Sequence, residues 1–195
     1  EPGLDEALQE AKLNGNFVAS ESPSRADVFL IAVPTPVSKG KKADLRFVEA
    51  ATASIVSYLR PGNLIIVEST VPPGCCQEVV ASILRGSGLD AGIDYHLAHC
   101  PERVLPGNAL YELAHNPRII GGYTETCAEM AKAFYQSFVH GEIFTTGLYE
   151  AELAKTAALR RVLAQATRVT APWGCDASLY HTPTSGGPGM LLVGD

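Results

Sequence analysis

Three short segments of this chain concentrate hydroxyl, carboxylate and guanidinium groups between rigid prolines. They are Val33-Pro34-Thr35-Pro36, then Glu68-Ser69-Thr70-Val71-Pro72-Pro73-Gly74, then Cys100-Pro101-Glu102-Arg103-Val104-Leu105-Pro106-Gly107. Hydroxyls can hold a ligand or a water, a carboxylate can take and return a proton, and a cation can steady developing negative charge. Thr70 and Gly74 also stand near an expected helix start, where free N–H groups favour a phosphate or a carboxylate. Each segment alone has a plainer account: Ser69 and Thr70 cap that helix, and Glu102 is a solvated loop acid. Three such segments gathered on one rim favour a binding site.

Gathering them is the task of the elements between. Asp27 to Val33 is an almost wholly apolar run, as a strand buried on both faces should be. Asp44 to Leu59 sets Val48, Ala51, Ile55 and Leu59 on one helical stripe, with Asp44 as its N-cap. Asn63 to Val67 is a second buried strand. Gly74 to Leu84 is a second helix, with Cys76, Val80, Ile83 and Leu84 inward. Tyr95 to Cys100 and Arg118 to Ile120 are further strands. Thr124 caps a helix with Cys127, Met130, Phe134 and Phe138 on its apolar stripe. Glu142 to Thr145 is a last strand, and a long helix begins between Gly147 and Glu150 and runs at least to Leu163. This alternation predicts an α/β fold with a parallel sheet and right-handed crossovers. In such sheets ligands bind beyond the carboxyl ends of the strands, where the three proline-bounded segments fall. From about Thr170, prolines and glycines crowd into an irregular tail ending in the short apolar run Met190 to Val193.

Composition narrows the classes. With 195 residues, 46% of them hydrophobic and 18% charged, the chain can bury a real core. A net charge of −6 and a pI near 5.4 lack the basic footprint of nucleic-acid binders. No apolar run approaches the roughly 18 to 20 residues of a membrane helix, and the N-terminus has no signal pattern, so neither nucleic acid nor membrane is an expected partner. Five cysteines without paired spacing read as a reduced, cytoplasmic protein. No metal site is expected, because His96 and His99, three apart on a strand, face opposite ways. Cys75 and Cys76 sit at a helix start, where the dipole could lower a thiol pKa.

The same segments carry a family likeness. VPTP, ESTVPPG, HCPERVLPGN with YELAHNPRIIGG, and EAELAKT, in this order from Glu1 to about Thr156, resemble the UDP-glucose/GDP-mannose dehydrogenase family. The likeness is closest to its branch acting on UDP-N-acetyl-D-mannosamine. It implies oxidation of a UDP-sugar primary alcohol to the uronate, by two successive hydride transfers to NAD through a cysteine-bound intermediate. It further implies that Val33, Pro34, Thr35 and Pro36 lie along the NAD. Ser69 and Thr70 would flank its nicotinamide, with Thr70 positioning a water. Glu102 would serve as acid/base, Arg103 and Val104 would touch the sugar nucleotide, and Lys155 would contact substrate and stabilise the oxyanion. Without the likeness, Lys155 reads as an ion-pair partner of Glu152 on the same helix face. A homodimer is implied for the intact family. The fold implied is a partial Rossmann-like sheet, residues 1–146 being the C-terminal portion of an NAD-binding domain, 147–168 a connecting helix and 169–195 the irregular tail.

The departures carry expectations of their own. No G-x-G-x-x-G follows a strand, and Glu1-Pro2 stands where a later part of the fold is expected, so the chain reads as a fragment with a bare strand edge beside the cleft. Leu159 replaces an asparagine of the family, and Cys175 lacks the glycine-rich surroundings of the family nucleophile. The chain is therefore expected to be inactive alone. One alternative is a non-catalytic α/β assembly module, with Leu148, Leu153, Ala154, Ala158 and Val162 as its apolar patch. Another is a flavoprotein-related hybrid, since SGGPGMLLVGD resembles a segment of FAD-dependent monooxygenases and halogenases, with Asp195 towards the flavin.

Overall fold

The computed structural model describes residues 2–37, 42–104 and 107–154, with two further strands at 180–181 and 190–193. The expectations for Lys155, Ala158, Leu159, Val162, Cys175 and Asp195 lie outside the described residues.

Two apolar tetrads form the centre. Strands β2 (Val28–Ile31, VFLI) and β3 (Leu64–Val67, LIIV) are buried at every position, which only a sheet covered on both faces permits. They pair in parallel, Val28 opposite Leu64 and Ile31 opposite Val67. Alternation along each strand divides the core in two. Phe29, Ile31, Ile65 and Val67 pack on one face with Val48 and Ile55 of α2 (Arg46–Ile55). Val28, Leu30, Leu64 and Ile66 pack on the other with Ala131 and Tyr135 of α5 (Glu125–Gln136). Burying each of these large side chains is worth about 1.5–3 kcal/mol.

Around this centre, among the described residues, the sheet has eight strands in the order β1-β7-β8-β2-β3-β4-β5-β6. The added strands are β1 (Val18–Ala19), β4 (His96–His99), β5 (Arg118–Gly122), β6 (Ile143–Gly147), β7 (Tyr180–His181) and β8 (Met190–Val193). Helix α1 (Leu4–Leu13), which buries none of its residues, precedes β1. The connection after β3 is a π-helical turn at Cys76–Val80 continuing into α3 (Ala81–Leu84). Helix α4 (Ala109–His115) leads into β5. Helix α6 begins at 148, within the expected window, and residues 148–154 of it are described.

The parallel expectation holds for β2, β3 and β4 and is corrected at β5; β8, for which no pairing was expected, also lies parallel to β2. Only Ala98 and His99 pair with Gly122 and Gly121, and they do so antiparallel. The intervening α4 has seven residues, about 10 Å, and the chain enters β5 from the end at which it left β4. Arg118 to Ile120 therefore extend past the carboxyl end of β4, and β6 pairs with β5 in parallel.

Three smaller expectations also change. Helix α2 starts at Arg46 rather than directly after Asp44, whose carboxylate instead accepts the Arg46 backbone N–H at 3.2 Å and its guanidinium. On α5, Met130 is exposed, as is Phe138 just beyond its end, whereas Ala128, Ala131 and Tyr135 are buried beside Cys127. The edge of β2, expected bare, is paired with β8, Val28 opposite Met190 through Ile31 opposite Val193.

Candidate functional site

The loops leaving β2 and β3 are joined by their own hydroxyls. Ser69 Oγ accepts the Val33 N–H at 2.7 Å and donates to the Val33 carbonyl at 2.8 Å. Thr35 Oγ1 donates to the Thr70 carbonyl at 2.7 Å. Both loops leave the ladder here, so their backbone groups need other partners, and a short hydroxyl side chain reaches them. The joined loops form the wall of an open cleft of about 280 Å³, lined by Ala32, Val33, Pro34, Thr35, Glu68, Ser69, Thr70 and Glu102. Six of the expected site residues thus meet in one concavity. Pro36 is not among its lining, and Arg103 and Val104 border a neighbouring hollow with Glu112, Asn116 and Arg118. Glu102 is half-buried: its carboxylate accepts the Val104 N–H, and its own N–H donates to the Glu68 carbonyl at 3.3 Å.

Beneath the cleft lies a buried network that sequence reasoning missed. Glu68 accepts the Tyr135 hydroxyl at 2.6 Å and faces the Arg118 guanidinium at 3.8 Å. Arg118 also donates to the Leu113 carbonyl at 3.2 Å and lies 4.8 Å from the centre of the Tyr135 ring. Burial and the charge of Glu68 raise the Tyr135 hydroxyl well above its usual pKa and push the Cys100 thiol up to about 11. The antiparallel entry of β5 is what carries Arg118 to this rim. The signal available in sequence was a charge at each end of an apolar strand, Glu68 after β3 and Arg118 opening β5, since charges so placed are costly unless paired.

The helix start expected to bind an anion binds one from this chain. Glu152 on α6 is 1% exposed, and its two oxygens accept the N–H groups of Gly74 at 2.5 Å and Cys76 at 2.8 Å. Glu152 is thus turned inward onto this helix start. The expectation of a lowered thiol pKa is reversed here. Burial first, and then the charge of Glu152, push Cys75 up to about 12 and Cys76 well above its usual value. Leu148, expected in a surface patch, is 7% exposed and belongs to the core, while Leu153 is exposed.

His99 is fully buried with Nδ1 2.8 Å from the Val67 carbonyl, and His96 Nδ1 lies 3.8 Å from the Cys127 sulfur. Among the described residues no group of three or more His, Cys, Asp or Glu is placed to hold a metal ion. No helix among them is long and apolar enough to cross a membrane.

Parallel strands with helices on both faces and a cleft at the carboxyl rim define the nucleotide-binding α/β class. Within that class, residues 1–139 match the UDP-glucose/GDP-mannose dehydrogenase family, NAD binding domain, and the chain belongs to that family. It is 45% identical over 145 residues to the UDP-N-acetyl-D-mannosamine dehydrogenase of Methanocaldococcus jannaschii, covering 73% of this chain and 33% of that protein. It is 41% identical over 162 residues to an NDP-N-acetyl-D-galactosaminuronic acid dehydrogenase of Ralstonia solanacearum, covering 80% and 38%. Among solved structures, the native UDP-N-acetyl-mannosamine dehydrogenase Cap5O from Staphylococcus aureus superposes with a TM-score of 0.79 at 43% identity, over 83% of this chain and 40% of that one. The chain spans about a third of the length of the curated relatives it matches.

NAD is the cofactor of this domain family. The cleft, about 280 Å³, is near the lower end of the roughly 300–1,000 Å³ usual for ligand sites. That size, with a wall of hydroxyls and prolines, suits one end of a dinucleotide.

Proposed function

We propose that this chain is the part of an NAD-dependent dehydrogenase that presents the cofactor to a UDP-N-acetylated amino sugar, with UDP-N-acetylmannosamine as the leading candidate. The product would be the uronate, reached in two oxidations. The observation that carries this reading is the meeting of Thr35, Thr70 and Glu102 in one cleft. NAD, when bound, supplies the hydride acceptor. Val33, Pro34 and Thr35 would form the wall against which it lies, with Pro36 at its outer edge. Ser69 acts behind that wall, because its hydroxyl is engaged by Val33 on both sides. Thr70 lines the cleft while its carbonyl is held by Thr35, an arrangement suited to orienting a water. Glu102 would exchange the substrate hydroxyl proton. Arg103 and Val104 would meet the sugar nucleotide, and Lys155 would steady the developing oxyanion. In the whole enzyme, pairing with a second copy would cover Phe144, Tyr149 and Leu153, all exposed here.

Saturation-transfer NMR with NADH tests the reading. Transfer to the nicotinamide protons that is lost in T70W, which fills the cleft, is expected; absence of transfer in the wild-type chain overturns it. With NAD and UDP-N-acetylmannosamine the chain alone should form no NADH. The reasons are that Leu159 stands in place of the oxyanion asparagine and that no glycine-rich nucleophile segment is recognisable. Sustained turnover would refute that part.

A further inference from the structure

We infer that Glu152 is a positioning residue, a strut that holds the Thr70 turn at a set distance from α6. The inference deepens the proposed reading, because it concerns how one wall of that cleft is placed. The turn from Thr70 to Gly74 is anchored at its front by Thr35 and Ser69. At its back it is anchored by the Glu152 carboxylate, which bonds Gly74 and Cys76. These bonds join residues 78 and 76 positions apart in sequence, so they act between elements and not within one turn. Both oxygens are used on neighbouring N–H groups of one helix start, which fixes direction as well as distance. Charge-assisted bonds of this kind are short and about twice as strong as neutral ones, and the macrodipole of the helix adds to them. A carboxylate 1% exposed is otherwise a costly choice, so a side chain serving only to fill space would be apolar. Glu152 also lies three residues before Lys155, on the helix that would carry it to the cleft. One side chain therefore ties the Thr70 turn to α6.

The test uses nitrogen-15 and methyl NMR on the full chain and its E152Q, E152D and E152A variants. In E152Q the Gly74 and Cys76 amide protons should move upfield, the signature of a lost charge-assisted bond. In E152A their hydrogen exchange should accelerate about ten- to hundredfold. The decisive reporters are two groups that Glu152 does not bond. They are the Cys75 amide, bonded to the Pro72 carbonyl at 3.1 Å, and the Thr70 methyl. In E152A both should shift and the Cys75 amide should exchange faster, and both effects should be partly restored in E152D. Opening of Gly74 and Cys76 with Thr70 and Cys75 unchanged would reduce Glu152 to a local cap and overturn the proposal. If E152A does not fold, the same comparison is read in E152Q. NADH binding is measured separately on the wild-type chain, so its absence defeats the proposed function while the amide data still judge the strut.

Discussion

Ser69 illustrates how a residue can belong to a site without touching its ligand. Its hydroxyl pairs both the N–H and the carbonyl of Val33, and removing it leaves two buried polar groups unmade. S69A should cost about 1–3 kcal/mol of stability, whereas T35V, at a half-exposed position with one bond, should cost about 0.5–1.5 kcal/mol. Urea unfolding of the two variants checks the order; equal costs would contradict it. Arg118 is a harsher case. Its side chain is 6% exposed and that of Glu68 13%, so R118M leaves a carboxylate in a poorly solvated place and should destabilise by about 3 kcal/mol or more. E68Q with R118M together should recover part of that loss, because the uncompensated charge goes too.

At the scale of elements, the seam between β5 and α6 is closed by glycine. A Cβ on Gly121 would lie 2.6 Å from both the Ala151 Cβ and the Gly147 carbonyl, closer than real atoms approach. The backbone of α6 would have to move, and with it Glu152. G121A should therefore destabilise by roughly 1–3 kcal/mol through overpacking, and it should also loosen the Gly74 and Cys76 amides in hydrogen exchange. Normal amide protection in a destabilised G121A would show that α6 adjusts without transmitting the shift. The antiparallel seam has a second consequence. Because β5 overlaps β4 by only two residues, its first half, paired with β6 alone, extends past the end of β4 and brings Arg118 to Glu68 beneath the cleft.

For the whole molecule, the buried thiols set an alkaline limit. Cys75 and Cys100 keep their protons in the folded chain to about 12 and about 11, while an unperturbed thiol loses its proton near 9.0. Above pH 9 the unfolded chain therefore binds fewer protons than the folded one, and stability falls as pH rises. The contribution is complete below about pH 8 and is lost progressively from pH 9, up to about 11 for Cys100 and about 12 for Cys75. Urea midpoints from pH 7 to 10.5 should be flat at first and then decline, with a shallower decline in C100A. An unchanged slope in that variant would remove Cys100 from the account.

What the sequence determined by itself was local and periodic. Apolar tetrads of strand length, a helical stripe at Val48, Ala51 and Ile55, and prolines closing each strand placed Thr35, Thr70 and Glu102 on one rim, because parallel strands share a carboxyl end. The motifs VPTP, ESTVPPG and CPERVLPG identified the family from residue types and order alone. Tertiary structure decided everything that depends on which groups meet at long range. It reversed β5 and so brought Arg118 to Glu68. It turned Glu152 inward to the helix start at Gly74, and it laid β8 along β2. None of these has a signature in spacing. A charge tolerated inside a protein is tolerated because of its partner, and the partner is chosen by the fold.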